Sequence, residues 1–152
     1  IDGVVIVTTP QEVALLDSRK SINFAKTISV PVLGVVENMR GYTLRGTSTP
    51  NSKISVMGPG GVPIECNSDE DGNWEMTLDV FKSGGGEEAS KEMGVPFLGS
   101  LPFDPGIVRG GDDGVHRIIA EPEGETARAF ESIVESVIEQ LDKGSQRTLR
   151  II

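Results

Sequence analysis

The sequence predicts an α/β fold, in which part of a doubly wound parallel sheet is interrupted by a β-rich insertion. Three observations predict it. Two continuous β-branched runs, residues 4–8 and 32–36, flank a segment of helical length. One helix-to-strand junction occurs twice, as Val30-Pro31-Val32-Leu33-Gly34 and as Val95-Pro96-Phe97-Leu98-Gly99. Between residues 41 and 82 the composition shifts to Gly, Ser, Thr, Asn and Asp, with short alternating stretches such as Ile54-Ser55-Val56 and Trp74-Glu75-Met76-Thr77-Leu78.

Continuous apolar runs are what strands covered on both faces require. The first run ends at Thr9-Pro10-Gln11-Glu12, where Thr9 is expected to cap a helix, Pro10 to take its first position and Glu12 to complete a capping box. That helix should reach about Ile28, and Pro31 should separate it from the second strand. Connections this short imply a parallel pair with a right-handed crossover. The second copy of the junction follows a helix over about 87–93 that Gly94 ends. Two copies are too few for a solenoid and fit a doubly wound sheet. In the insertion, Asp71-Gly72 or Gly72-Asn73 is expected to turn a hairpin.

A last helix follows from Phe130, Ile133, Val134, Val137, Ile138 and Leu141, whose spacing places them on one face. Gly144 is expected just past its end, with Lys143 at the negative pole of its dipole. The expected organisation is therefore one domain over 1–142, an insertion at about 42–82, and a tail over 143–152 whose last eight residues form an edge strand or a disordered end.

No run of 18 apolar residues exists, so no membrane span is expected. Ile1 opens directly into a strand-like run, which reads as a start within a domain and not as a signal peptide. The net charge of −9 is uneven: residues 112–142 hold nine acids against Arg117 and Arg128. Such a surface repels nucleic acid and anionic lipid. The single cysteine, Cys66, cannot form an internal disulfide, which fits a cytoplasmic protein.

A doubly wound sheet binds ligands at the carboxyl ends of its strands. Two such ends are chemically marked, Glu37-Asn38-Met39 and Leu101-Pro102-Phe103-Asp104-Pro105. An Asn side chain pairs a donor with an acceptor, matching the N6/N7 edge of adenine, and a proline-stiffened loop can enclose the other side of the base.

Several runs, in order, resemble the Mrp/ApbC family of deviant P-loop ATPases in the MinD/ParA class. They are Asp2-Gly3-Val4-Val5-Ile6-Val7-Thr8-Thr9-Pro10-Gln11-Glu12, Val32-Leu33-Gly34-Val35-Val36-Glu37-Asn38-Met39, Ser83-Gly84-Gly85-Gly86-Glu87, Gly94-Val95-Pro96-Phe97-Leu98-Gly99-Ser100-Leu101-Pro102-Phe103-Asp104-Pro105 and Gly110-Gly111-Asp112-Asp113-Gly114. The resemblance covers roughly 1–41 and 81–122 and implies the C-terminal half of such an ATPase. It implies binding of ATP with Mg2+ in the intact protein, a homodimer, and a role in carrying iron–sulfur clusters to iron–sulfur proteins. It places the adenine pocket on Asn38, Pro102, Phe103 and Asp104. The sequence departs from the family in two respects. No G-x-x-x-x-G-K-[ST] loop exists to cradle phosphates, so this chain is not expected to hydrolyse ATP alone, and no catalytic residue is assigned. Gly84-Gly85-Gly86 and Gly58-Pro59-Gly60-Gly61 lack a following Lys and read as tight turns.

The second departure concerns the C-x-x-C pair of many members. Aligning Gly41-Tyr42 with the family's Gly-aromatic pair puts Leu44 and Thr47 where the thiolates belong. No metal ligand is expected: Cys66 reads as a small apolar residue and His116 as a surface or capping residue. Two rival readings stand beside the ATPase fragment: a non-catalytic protein-interaction module built on the insertion, and a fragment of a ParA-like partitioning ATPase, which the acidic 112–142 segment disfavours. A half-sheet with an open edge is also expected to self-associate or exchange strands.

Overall fold

The structure, a computed structural model, describes residues 1–149 and the side chains of all of these except 59 and 145–149. A three-stranded parallel sheet forms its centre, in the order β1 (Val4–Thr8), β2 (Val32–Glu37), β7 (Phe97–Ser100). The two copies of the Val-Pro junction perform the same task. The Pro31 carbonyl accepts the Val4 N–H at 2.8 Å, and the Pro96 carbonyl accepts the Val35 N–H at 2.9 Å, so each proline opens a strand pair. Gly34 is required there: its φ is +153°, and a Cβ would lie 2.6 Å from the Pro96 oxygen.

Helices α1 (Glu12–Thr27) and α2 (Gly85–Met93) cover one face of the sheet, and α5 (Glu125–Leu149) covers the other. Register sorts the strand residues between the faces. Ile6 lies opposite Val35, and Val7 lies opposite Val36. Val36 joins Leu98, Leu101 and Ile133 in a buried cluster that Ala129, Phe130 and Val137 of α5 complete. Each fully buried side chain of this size stabilises the fold by about 1.5–3 kcal/mol. Close approach of α5 depends on Gly99, where a Cβ would stand 2.8 Å from Cγ1 of Ile133.

Several expectations need correction. Thr9 does not cap α1; Gln11, itself extended, is the N-cap without a side-chain hydrogen bond, so Pro10 precedes the helix and Glu12 opens it instead of closing a capping box, while the Thr9 hydroxyl bonds the Gln11 side chain. The last helix does not end at Gly144 but continues to Leu149, so residues 145–149 form neither an edge strand nor a disordered end; 150–152 lie outside the described residues. A mid-helix glycine costs only about 1 kcal/mol, which the flanking helix formers outweigh. The apolar stripe of α5 is also only partly buried: Val134 and Ile138 remain about half exposed.

The insertion consists of two antiparallel pairs. Strand β3 (Tyr42–Thr47) pairs with β6 (Asn73–Leu78), placing Tyr42 opposite Leu78 and Thr47 opposite Asn73. Nested between them, β4 (Lys53–Met57) pairs with β5 (Pro63–Asn67) through a short 3-10 turn at Pro59–Gly61. Gly72 does sit in a turn with φ +83°, but this turn joins β5 to β6, which pair with other strands, so it closes no hairpin. Ser68 fastens the two pairs: its hydroxyl accepts the Ser52 N–H at 2.9 Å and donates to the Thr49 carbonyl at 2.6 Å.

Among the described residues β1 is paired on one side only, and Val5 and Val7 on its α5-side face are 37% and 60% exposed. Strand edges of this kind recruit other chains. Static light scattering of the isolated chain is expected to show concentration-dependent association that Val7→Lys reduces. A monomer unchanged across the concentration range would rule the edge out as a self-pairing site.

Candidate functional site

The carboxyl ends of the three parallel strands are sewn together by main-chain hydrogen bonds. The Asn38 N–H reaches the Thr8 carbonyl at 2.7 Å, the Leu101 N–H reaches the Glu37 carbonyl at 2.8 Å, and the Arg40 N–H returns to the Leu101 carbonyl at 2.9 Å. One step further, the Phe103 N–H bonds the Gly41 carbonyl at 2.9 Å. These contacts place the 37–41 turn beside the 101–104 loop. The half-buried Asn38 folds its Oδ1 onto the Met39 N–H at 2.8 Å, and Met39 takes a left-handed φ of +61°. A non-glycine residue in that region costs about 1–3 kcal/mol and is found preferentially at functional turns. The Asn38 NH2 group has no protein partner among the described residues, so its donor is available to a ligand.

Asp104 is committed to the protein. It is the N-cap of α3 (Pro105–Asp113), and its Oδ1 accepts the Gly106 N–H at 2.7 Å. Its Oδ2 accepts the Arg117 Nε–H and the Thr126 hydroxyl, both at 2.6 Å. Arg117 begins α4 (Arg117–Ala120) and also pairs with Glu121, so one carboxylate ties α3, α4 and the start of α5 together. Burial pushes the Asp104 carboxyl up, but the hydrogen bonds from Arg117, Thr126 and Gly106 outweigh it and hold the group below the usual carboxylate range.

Phe103 stands between the loop and the insertion. Its ring meets Tyr42 edge-on, with centroids 5.8 Å apart and planes at 78°, and meets Phe81 at 6.0 Å and 69°. A cleft of about 360 Å³ opens along this junction, walled by Tyr42, Arg45, Pro102, Phe103, Asp104 and Arg117. A neighbouring cleft of about 380 Å³ shares Pro102 and is walled by Arg40, Asp79 and Ser83. Asn38 lines neither, so the structure sets Asn38 and Pro102-Phe103-Asp104 side by side at one end of the sheet without enclosing them in one cavity.

The glycine-rich stretch at 84–86 already has an acceptor. Glu37, fully buried, takes the Gly84 N–H on Oε1 at 3.1 Å and the Gly86 N–H on Oε2 at 2.6 Å. These amides therefore cap α2 through a side chain of the protein. Leu44 and Thr47 lie on β3 opposite Met76 and Asn73, Cys66 lies on β5 opposite Ile54, and His116 is an exposed N-cap residue of α4 whose side chain makes no cap bond. Among the described residues no group of three or more His, Cys, Asp and Glu side chains is arranged to hold a metal ion.

Sequence reasoning marked Asn38 and the 102–104 loop but missed Glu37, Tyr42, Phe81, Arg117 and Thr126 as their supports. Only Glu37 carried a local signal, as an acid inside an otherwise apolar strand run. The others are chosen by tertiary contacts.

Comparison with known proteins identifies the family of the chain. The sequence profile described as ParA: NUBPL iron-transfer P-loop NTPase matches residues 1–68 and 71–138. The chain is similar to the iron-sulfur cluster carrier protein of Methanococcus maripaludis, with 36% identity over 94% of this chain and 39% of the relative. It is likewise similar to that of Synechocystis, with 38% identity over 89% of this chain and 31% of the relative. The chain thus spans well under half the length of these curated relatives. In fold it resembles the cell division ATPase MinD of Pyrococcus furiosus, with a TM-score of 0.57 and 24% identity over 91% of this chain and 43% of that one. The septum site-determining protein MinD of Pyrococcus horikoshii, solved with Mg-ADP, aligns with a TM-score of 0.56 and 24% identity over 90% of this chain and 41% of that one. With most of its length matched by the profile and its motifs in the order of the Mrp/ApbC type, the chain belongs to the ParA group of NUBPL-type iron-transfer P-loop NTPases.

Proposed function

We propose that this chain is the C-terminal portion of a cytoplasmic, homodimeric ATP-binding protein that carries iron–sulfur clusters to iron–sulfur proteins, and that it supplies the adenine side of the nucleotide site. The observation that carries this reading is the main-chain stitching of the 37–41 turn to the 101–104 loop at the carboxyl edge of the parallel sheet. Ligands of doubly wound sheets bind there. Asn38 would offer its free amide donor to the base, and Pro102 and Phe103 would wall it. Asp104 would shape the loop through its three hydrogen bonds, leaving the base to its neighbours. Bound ATP with Mg2+ would supply the phosphoryl chemistry. On this reading the groups that clamp phosphate lie in the rest of the intact protein: this sequence holds no G-x-x-x-x-G-K-[ST] loop, and the amides at Gly84 and Gly86 are already bonded to Glu37.

In the full-length protein, Asn38→Ala is expected to weaken ATP binding by about 1–3 kcal/mol, the cost of a buried polar group left unmatched. That corresponds to about 5–150-fold in Kd, measured by titration calorimetry. Equal affinities would reduce Asn38 to a turn former and remove the adenine assignment.

A cluster would be cargo. Soft thiolates are the usual ligands, and Leu44 and Thr47 offer none. Anaerobic reconstitution of this chain with iron and sulfide is expected to give no stoichiometric cluster by visible absorption and iron quantitation. A full cluster that is lost on Cys66→Ser would make Cys66 a ligand and defeat the expectation.

A further inference from the structure

We infer that Tyr42 and Phe81, the residues at which the insertion leaves and rejoins the α/β core, are positioning residues for the base-side loop, acting through Phe103. The inference rests on the adenine assignment above and extends it to side chains outside the loop.

Phe103 is held from two directions. Its main chain is fixed by the hydrogen bond to the Gly41 carbonyl, next to Tyr42. Its ring is fixed by two edge-on contacts, one from each end of the insertion. Edge-to-face pairs fix ring orientation as well as burying area, because the positive rim of one ring meets the negative face of the other. All three rings are half-buried and stand apart from the main core cluster; Tyr42 and Phe103 wall the cleft, and Phe81 backs Phe103. Ion pairs flank both sides of the arrangement. Arg45, three residues beyond Tyr42 on β3, pairs with Glu75 of β6 at 2.7 Å and with Glu125 of α5 at 3.1 Å. On the other flank Asp104 is tied to Arg117 and Thr126. With its successor pinned to the core and its ring pinned to the insertion, Phe103 keeps one orientation toward the base.

Removing either outer ring leaves Asp104 and the main-chain stitching in place but leaves the Phe103 ring with one edge-on contact, and so looser. Affinity for the base then falls while affinity for the phosphates does not. A purely structural cluster would lower both together through loss of folded protein. The test uses the full-length protein with magnesium, and titrates ATP and inorganic tripolyphosphate separately against the parent, Tyr42→Leu, Phe81→Leu, Tyr42→Phe and Asn38→Ala. The expected result is a loss of about fivefold in ATP affinity for each Leu variant, with tripolyphosphate affinity unchanged and Tyr42→Phe equal to the parent. Should a Leu variant fail to fold, Phe81→Met keeps most of the volume without the ring and carries the same comparison. Unchanged ATP affinity in the ring-deleted variants, or parallel losses for ATP and tripolyphosphate, would overturn the inference while Asn38→Ala still weakens ATP. If Asn38→Ala also leaves ATP binding unchanged, the adenine assignment falls and this inference with it.

Discussion

Asp104→Ala is expected to lower the unfolding free energy by about 2–4 kcal/mol, measured by urea denaturation. Deleting one partner of a buried ion pair costs about 3–5 kcal/mol because the other charge is left uncompensated. The figure is reduced here because the Asp104 and Arg117 side chains keep 14% and 24% of their exposure. Besides the Arg117 charge, the substitution strands the Thr126 hydroxyl and removes the N-cap of α3. A loss below 1 kcal/mol would show that water replaces the carboxylate. The pH dependence has a definite sign. The folded-state carboxyl is held below its unfolded value, so its stabilisation is complete above the unfolded value and disappears as the pH falls through the lower folded one. The parent should therefore lose stability below about pH 4 more steeply than Asp104→Asn.

Glu37→Ala is the second large effect, about 3–4 kcal/mol. It leaves the buried Gly86 amide without an acceptor, at about 1–3 kcal/mol, releases the half-buried Gly84 amide, and opens a void where the side chain was fully enclosed. Amide hydrogen exchange offers a local readout: protection at Gly86 should collapse in Glu37→Ala before that of the β2–β7 core. Retained protection at Gly86 would mean that the loop finds another acceptor. Gly86 itself admits no larger residue, since a Cβ would lie 2.9 Å from that of Glu37.

What could be read from the sequence was what is decided locally. The Val-Pro junctions, the left-handed Gly94 that ends α2 and the β-branched runs of β1 and β2 each depend on a few neighbouring residues, and each was found where expected. The helix ends were read less well. A cap signal at Thr9 and a stop signal at Gly144 are weak preferences, and the chain overrode both. Pairing in the insertion could not be read, because alternation marks a strand without naming its partner, and β3 finds its partner beyond the whole of β4 and β5. The site followed the same division. Asn38 and Pro102-Phe103-Asp104 announce themselves by residue type at a strand end. Their supports do not, since Glu37 meets Gly86 across 49 positions and Asp104 meets Thr126 across 22.

The pairing of Tyr42 with Leu78 has a consequence for how this chain tolerates change. Both ends of the insertion are brought together by the six-pair β3–β6 ladder, so everything between Thr47 and Asn73 is closed off as a single loop hanging from that stem. The entropy of closing a loop grows only with the logarithm of its length. A segment grafted between positions 48 and 72, shorter or longer, would therefore leave the path from β2 to α2 unaltered, provided the β3–β6 ladder is kept. The α/β core fixes where this cassette is attached, and Arg45, which reaches Glu125 of α5, marks the part of the cassette that the core still feels.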